Sequence, residues 1–336
     1  MGGTKKHSYL SVRFAKVQLR YKPMMLSNTL FQRYPTQLAL LLSLTGLCFM
    51  VSGASMFFLG QFIFHTSMDQ LANQMMKPEN ANMSRLLNTA FSIISFGLPP
   101  ILYAKLLGSQ PFRRLGFNAH INGQQVGWVV LILIASIGLT GMLSELNQSI
   151  PLPKEWQMKA KAMEENYERT VMAMAHMPRL IDFILAILTV ALAPAILEEL
   201  MFRSALQPIF IGITRNPFWG IFITSLLFSA IHFEVYGFIP RLALGFLLGL
   251  VYYYGKNIWL SIMFHFLNNA MIVVALFWAD RNGISTKEVI NQKIPLLAGM
   301  ISVVALFLMF RFFIGASRRY WEQIPSLFKL NHQPDA

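Results

Sequence analysis

Eight stretches of apolar sequence, near residues 38–64, 86–107, 124–143, 180–203, 217–233, 238–255, 257–279 and 294–315, divide the chain. Each is close to the length of about 20 residues that an α-helix needs to cross the hydrocarbon of a bilayer. In lipid every backbone N–H and C=O must be bonded inside the protein, which leaves helices or closed barrels as the spanning structures. The runs are continuous rather than alternating, which selects helices. The expected fold is all-α: a polytopic membrane helical bundle of about eight transmembrane helices in the lipid bilayer.

The formal charge of +13 would suggest nucleic acid in a soluble protein. Here 55% of residues are hydrophobic and 13% charged, so a water-facing surface of that size cannot be built. The basic residues cluster in an N-terminal arm (Lys5, Lys6, Arg13, Lys16, Arg20, Lys22, Arg33), at Arg113 and Arg114, and in a tail (Arg318, Arg319, Lys329). That is the distribution of positive charge retained on the cytoplasmic side of a membrane. It predicts cytoplasmic termini, multi-pass insertion in a bacterial inner membrane, and no nucleic-acid partner. The single cysteine, Cys48, rules out an intrachain disulfide. The first apolar run is too long for a signal-peptide core and reads as a retained anchor.

The expected organisation is a basic arm over 1–35, N-terminal transmembrane helices over 36–143, an extramembrane segment over 144–179, a core over 180–280, and a last helix with its tail over 281–336. Within 144–179, Trp156, Ala160, Met163, Tyr167 and Met174 recur at helical spacing opposite Lys154, Lys161, Glu164, Glu165 and Glu168. This predicts an amphipathic helix between Pro153 and Pro178, packed on the bundle rim or lying over a substrate entrance.

An ionisable residue inside a span costs several kcal/mol unless paired or hydrated, so such residues are functional candidates. Three groups stand out. Glu198, Glu199 and Arg203 share one run; Glu199 and Arg203 are one turn apart and can pair, whereas Glu198 points about 100° away and is left available. Phe228 and His232 are one turn apart near the end of the next run, and His265 and Asn269 share one stripe of a later one. A carboxylate, two imidazoles and an amide on nearby helices can activate water and hold an oxyanion. Pro194, four residues before Glu198, is expected to open the helix locally. Gly245 and Gly249 form a small-xxx-small pattern for close helix packing.

The motifs Glu198-Glu199-x-x-x-Arg203, Phe228-x-x-x-His232 and His265-x-x-x-Asn269, in this order over roughly residues 180–280, resemble those of the intramembrane protease family of CaaX prenyl endopeptidases and bacteriocin-processing and self-immunity proteins (CPBP or Abi). The resemblance implies an endopeptidase acting on a membrane protein or lipid-associated peptide. In that reading Glu198 and His232 position and deprotonate water, His265 and Asn269 stabilise the oxyanion, and Glu199, Arg203 and Phe228 support them. The preferred expectation is a reaction without a cofactor. The alternative is zinc held by Glu198, His232 and His265, since the family is often classed among the metalloproteases. HExxH, GxGD and GxSG motifs of other membrane proteases are absent. A non-catalytic scaffold or an immunity-type protein is the competing class, and a transporter ranks below it for want of an inverted repeat.

One geometric condition follows. If the fourth and fifth helices ended at Arg203 and His232, these residues would lie at opposite membrane faces. The fourth must therefore continue towards Ile211, and His232 must be drawn inward by a kinked or tilted helix.

Overall fold

The computed structural model describes residues 33–118, 120–290 and 294–322. The principal helices are α1 (Tyr34–Phe64), α2 (Met68–Met75), α3 (Pro78–Leu106), α4 (Gly123–Ser149), α5 (Lys154–Ala175), α6 (Leu180–Thr214), α7 (Pro217–Ala230), α8 (Phe238–Gly255), α9 (Ile258–Arg281) and α10 (Leu296–Glu322). Among the described residues, seven of them are long and apolar enough to cross a membrane. The eighth expected span, 217–233, is instead the shorter α7. Leu42, Leu47, Phe58, Phe62 and Phe307 are among many large apolar side chains left exposed on the spans, the surface that lipid covers. The protein is a polytopic helical membrane protein.

α6 runs without interruption from Leu180 to Thr214, past Arg203, as the motif placement requires. Its path contains two widened π-helical stretches, Ile187–Leu192 and Leu200–Leu206, and α3 contains a third, Ile93–Gly97. Each lies just before a proline: Pro194, Pro208, and the Pro99–Pro100 pair. A proline has no N–H to donate and its ring presses on the carbonyl four residues back, so a wider turn relieves both defects. The local opening expected at Pro194 is present, and Glu198 and Glu199 lie between the two widened stretches of α6.

His232 is drawn inward by a different device from the kink or tilt expected. The 14 residues of α7 extend about 21 Å at the helical rise, less than the roughly 30 Å of hydrocarbon. α7 starts at the end of the bundle where α6 finishes, so its far end and His232 stop within the bundle's depth.

Two buried clusters hold the helices together. One joins Val129, Ile132 and Leu133 of α4 to Leu247, Leu248 and Val251 of α8, Leu260 and Phe264 of α9, and Phe310 and Phe313 of α10. The other joins Leu41 of α1 and Tyr103 of α3 to Met201, Phe202, Ala205 and Ile209 of α6 and Phe228 of α7. The first secures α8 and α9, the second α6 and α7.

The α6–α7 hairpin is close-packed at Gly220. A β-carbon there would lie 2.6 Å from the backbone nitrogen and 2.7 Å from the α-carbon of Ile211. Backbone cannot swing aside as a side chain can. Gly220→Ala is expected to destabilise the fold by about 1–3 kcal/mol, the usual cost of overpacking. Thermal unfolding in detergent checks this; an unchanged midpoint would contradict so tight a crossing.

Residues Arg113, Arg114, Arg215, Lys256, Arg318 and Arg319 gather at one end of the bundle. The amide of Ile258 bonds the Gly116 carbonyl there, Lys256 lies 5.9 Å from the Trp321 ring centroid, and Gln125 Nε2 donates to Ser317 Oγ. Of the basic arm, only Arg33 is within the described residues, and Lys329 of the tail lies outside them.

At the other end α5 forms between the prolines as the sequence pattern indicates. Its C-terminus is tied down by Arg85 of α3, which donates to the carbonyls of Met174 and His176, and by Lys287, which pairs with Glu168 at 2.9 Å.

Candidate functional site

Glu199, His265, Arg203 and Phe228 form one buried assembly. Arg203 Nη1 lies 2.9 Å from Glu199 Oε1, with both side chains almost wholly buried. Arg203 Nη1 meets no hydrogen-bond geometry, so this contact is an ion pair by distance rather than an aligned hydrogen bond. The guanidinium is held by two further contacts. Its Nη2 donates to the Gly245 carbonyl at 3.1 Å, and its carbon sits 4.5 Å from the Phe228 ring centroid. The other face of the cluster is set by His265, whose Nδ1 lies 2.9 Å from the same Glu199 oxygen. A carboxylate accepts, so Nδ1–H donates to it, and Nε2 is directed away from Glu199. That Nε2 faces Glu198 Oε2 at 3.8 Å.

The two adjacent glutamates thus separate as helical geometry requires. Glu199 is paired twice and fully buried, and Glu198 remains partly exposed, its carboxylate across a gap from His265. The separation of 3.8 Å is longer than a hydrogen bond.

His232 is half-buried in the turn after α7. Its Nδ1 is 2.7 Å from the Phe228 carbonyl, so Nδ1–H donates there and Nε2 is the nitrogen left for chemistry. The Phe228 ring stands edge-on to both imidazoles, with centroids 5.2 Å from His232 and 5.9 Å from His265. One aromatic side chain therefore spaces the two histidines and supports the arginine. Asn269 lies one turn beyond His265, half-buried, and its Oδ1 accepts from Asn268 at 3.3 Å. Among the described residues no ion pair joins Glu198 to His232 and no hydrogen bond joins Asn269 to the cluster.

Gln207 was not singled out by its sequence context. Its Nε2 donates to the Gly249 carbonyl at 3.0 Å, one turn below the Arg203 bond to Gly245. Two side chains four residues apart on α6 thus reach two carbonyls four residues apart on α8. The glycines allow this: a β-carbon at Gly245 would meet Phe228 at 3.0 Å, and one at Gly249 would meet Ile221 at 2.6 Å. The small-xxx-small stripe is packing, as expected, and it also fixes the depth at which Arg203 sits. A polar amide at i+4 from a buried arginine was the signal for Gln207.

Residues 180–271 match the family model of the Rce1-like type II CAAX prenyl endopeptidases. The likeness to that family lies within these residues. The match agrees with the CPBP resemblance, covers α6, α7, α8 and most of α9, and includes all seven motif residues. No curated protein and no solved structure matches the chain. The helices α1 to α5 lie before the Rce1-like segment and α10 after it. Glu198, His232 and His265, the set that zinc would need, are not gathered into a metal-holding group of three or more such side chains among the described residues.

Proposed function

We propose that this protein is an intramembrane endopeptidase that hydrolyses a peptide bond of a membrane-associated protein or peptide. The reading rests on one observation above others: Glu198 is held free beside His265 while its neighbour Glu199 is consumed by Arg203 and His265. In this proposal Glu198 takes the proton of the attacking water. His232 exchanges that proton through Nε2, the nitrogen its bond to Phe228 leaves open. The tetrahedral oxyanion is stabilised by Asn269 Nδ2–H and His265 Nε2–H, and the proton taken from water passes to the departing amine. Glu199 and Arg203 hold His265 in the orientation that the reaction needs. In this reading the basic end of the bundle faces the cytoplasm, which the positive-inside bias supports.

A panel of tethered fluorescent reporter peptides, incubated with the protein in proteoliposomes, tests the reading. Cleavage by wild type and its loss in Glu198→Gln support it. No cleavage of any reporter, with membrane integrity and folding verified, favours a scaffold or immunity-type role instead.

The proposal also specifies a reaction without a metal cofactor. EDTA and 1,10-phenanthroline are expected to leave the cleavage rate of purified protein unchanged. Loss on chelation with recovery on adding zinc would replace this mechanism by the zinc alternative.

A further inference from the structure

The turn that carries His232 is strained and heavily restrained. Phe233, directly after it, adopts φ +51°, a left-handed conformation costly for a bulky aromatic residue, and its side chain is 77% exposed, so packing does not hold it there. Such conformations cost about 1–3 kcal/mol and persist only where the surroundings over-determine them. The surroundings here are specific. Asn147, buried at the end of α4, donates to the carbonyls of Val235 and Tyr236 at 2.8 and 2.7 Å. Ser229 donates to the Phe238 carbonyl at 2.6 Å. Arg241 closes the turn by pairing with Glu234 at 2.5 Å, with both side chains largely buried. Gly237 makes room for this, since a β-carbon there would lie 2.6 Å from the Glu234 carboxyl carbon.

Arg241 is more than a clasp. Its Nη1 is buried without a hydrogen-bond partner among the described residues, and its charge acts on His232 and on Glu198. On its far side it faces Glu164 and Tyr167 of α5. Burial, with Glu234 and Glu168 nearby, pushes the Glu164 carboxyl above its ordinary range, and Arg241 opposes that shift.

We propose that Asn147 and the Glu234–Arg241 pair are positioning residues for His232, holding the strained turn that aims its imidazole, with Arg241 the fixed charge between the reaction centre and α5. This rests on the proposed hydrolytic function. It extends that reading outside the Rce1-like segment, because Asn147 belongs to α4. The charged and ionisable groups around His232 are Arg241 from α8, Arg203 from α6 and His265 from α9, with Glu234 in the turn itself and Glu164 of α5 on the other side of the Arg241 environment.

The test is the pH–rate profile of reporter cleavage for wild type, Arg241→Lys, Arg241→Gln, Glu234→Gln and Asn147→Leu. Arg241→Gln is expected to lower kcat by about 10²-fold, the scale of a misplacement near 1 Å, with KM little changed. It also removes a positive charge beside a basic group, so the acid limb of its profile moves to higher pH. Arg241→Lys keeps the limb near its wild-type position and recovers part of kcat. Glu234→Gln leaves the arginine charge unneutralised and moves the limb the opposite way, to lower pH. Asn147→Leu lowers kcat without moving the limb. A merely structural role would not produce limb shifts of opposite sign, and Glu234→Gln carries the test if Arg241→Gln does not fold. Wild-type kcat and an unmoved limb in Arg241→Gln overturn the inference. Absence of cleavage by wild type overturns the hydrolytic reading instead.

Discussion

Glu198→Ala is expected to lower reporter cleavage by about 10²–10⁴-fold, the range that a positioned general base contributes, equivalent to about 3–5 kcal/mol of barrier. The fold should tolerate the change, because among the described residues the Glu198 carboxylate makes no hydrogen bond that holds two helices together; His265 Nε2 is 3.8 Å away. Glu198→Gln separates the two effects further, since it keeps shape and polarity and removes only the basicity. The observable is the single-turnover cleavage rate in proteoliposomes, measured beside the unfolding midpoint. A Glu198 variant that cleaves at the wild-type rate would remove this residue from the chemistry and leave the geometry of the cluster as a packing device.

Arg203→Met is expected to have the largest effect on stability. It strips the buried Glu199 carboxylate of its cation, abandons the bond to the Gly245 carbonyl, and removes the guanidinium from the Phe228 ring. Breaking one half of a buried pair costs about 3–5 kcal/mol, because the remaining charge has neither water nor partner. Both side chains are essentially inaccessible, so solvent screening does not soften the loss. Replacing both Glu199 and Arg203 by methionine should be less damaging than Arg203→Met alone, since no charge is then stranded. Cleavage should fail in both variants, because His265 loses the carboxylate that orients its Nδ1. Denaturant unfolding in detergent distinguishes the cases. A double variant less stable than the single one would show that the pair supports the fold by itself and not only by mutual compensation.

The same cluster shows how far residue spacing carries an interpretation. The Glu199–Arg203 pair was legible because i and i+4 residues meet on any helix, whatever surrounds it. The amphipathic α5, the opening near Pro194 and the glycine stripe were legible for similar local reasons. The extent of α6 was legible only through a conflict: its motif and that of α7 could not meet unless one helix ran deeper than its most apolar stretch.

Other features could not be read from local rules. Hydropathy cannot distinguish a kinked spanning helix from a short one, so 217–233 looked like an eighth span and proved to be a 14-residue helix followed by a turn. Nothing in the neighbourhood of Asn147 or Arg241 marks them out, and Gln207 is marked only by its place one turn from Arg203. Their contacts are with carbonyls and charges elsewhere in the chain, up to 89 residues away in sequence for Asn147.

Apolar runs of bilayer length determined a helical membrane bundle, because unbonded backbone is too costly in lipid, and three short motifs determined which side chains share a face. Only the tertiary structure decided how those faces meet. It assigned Glu199 to Arg203 and His265 while leaving Glu198 open, stopped α7 short of a full span, and tied the turn after it to Asn147 of α4 and Arg241 of α8. The physical reason is that spacing along one helix is set by backbone geometry, whereas the register between helices is set by packing. Here that packing depends on glycines at crossings, prolines that widen turns, and buried carbonyls that need donors.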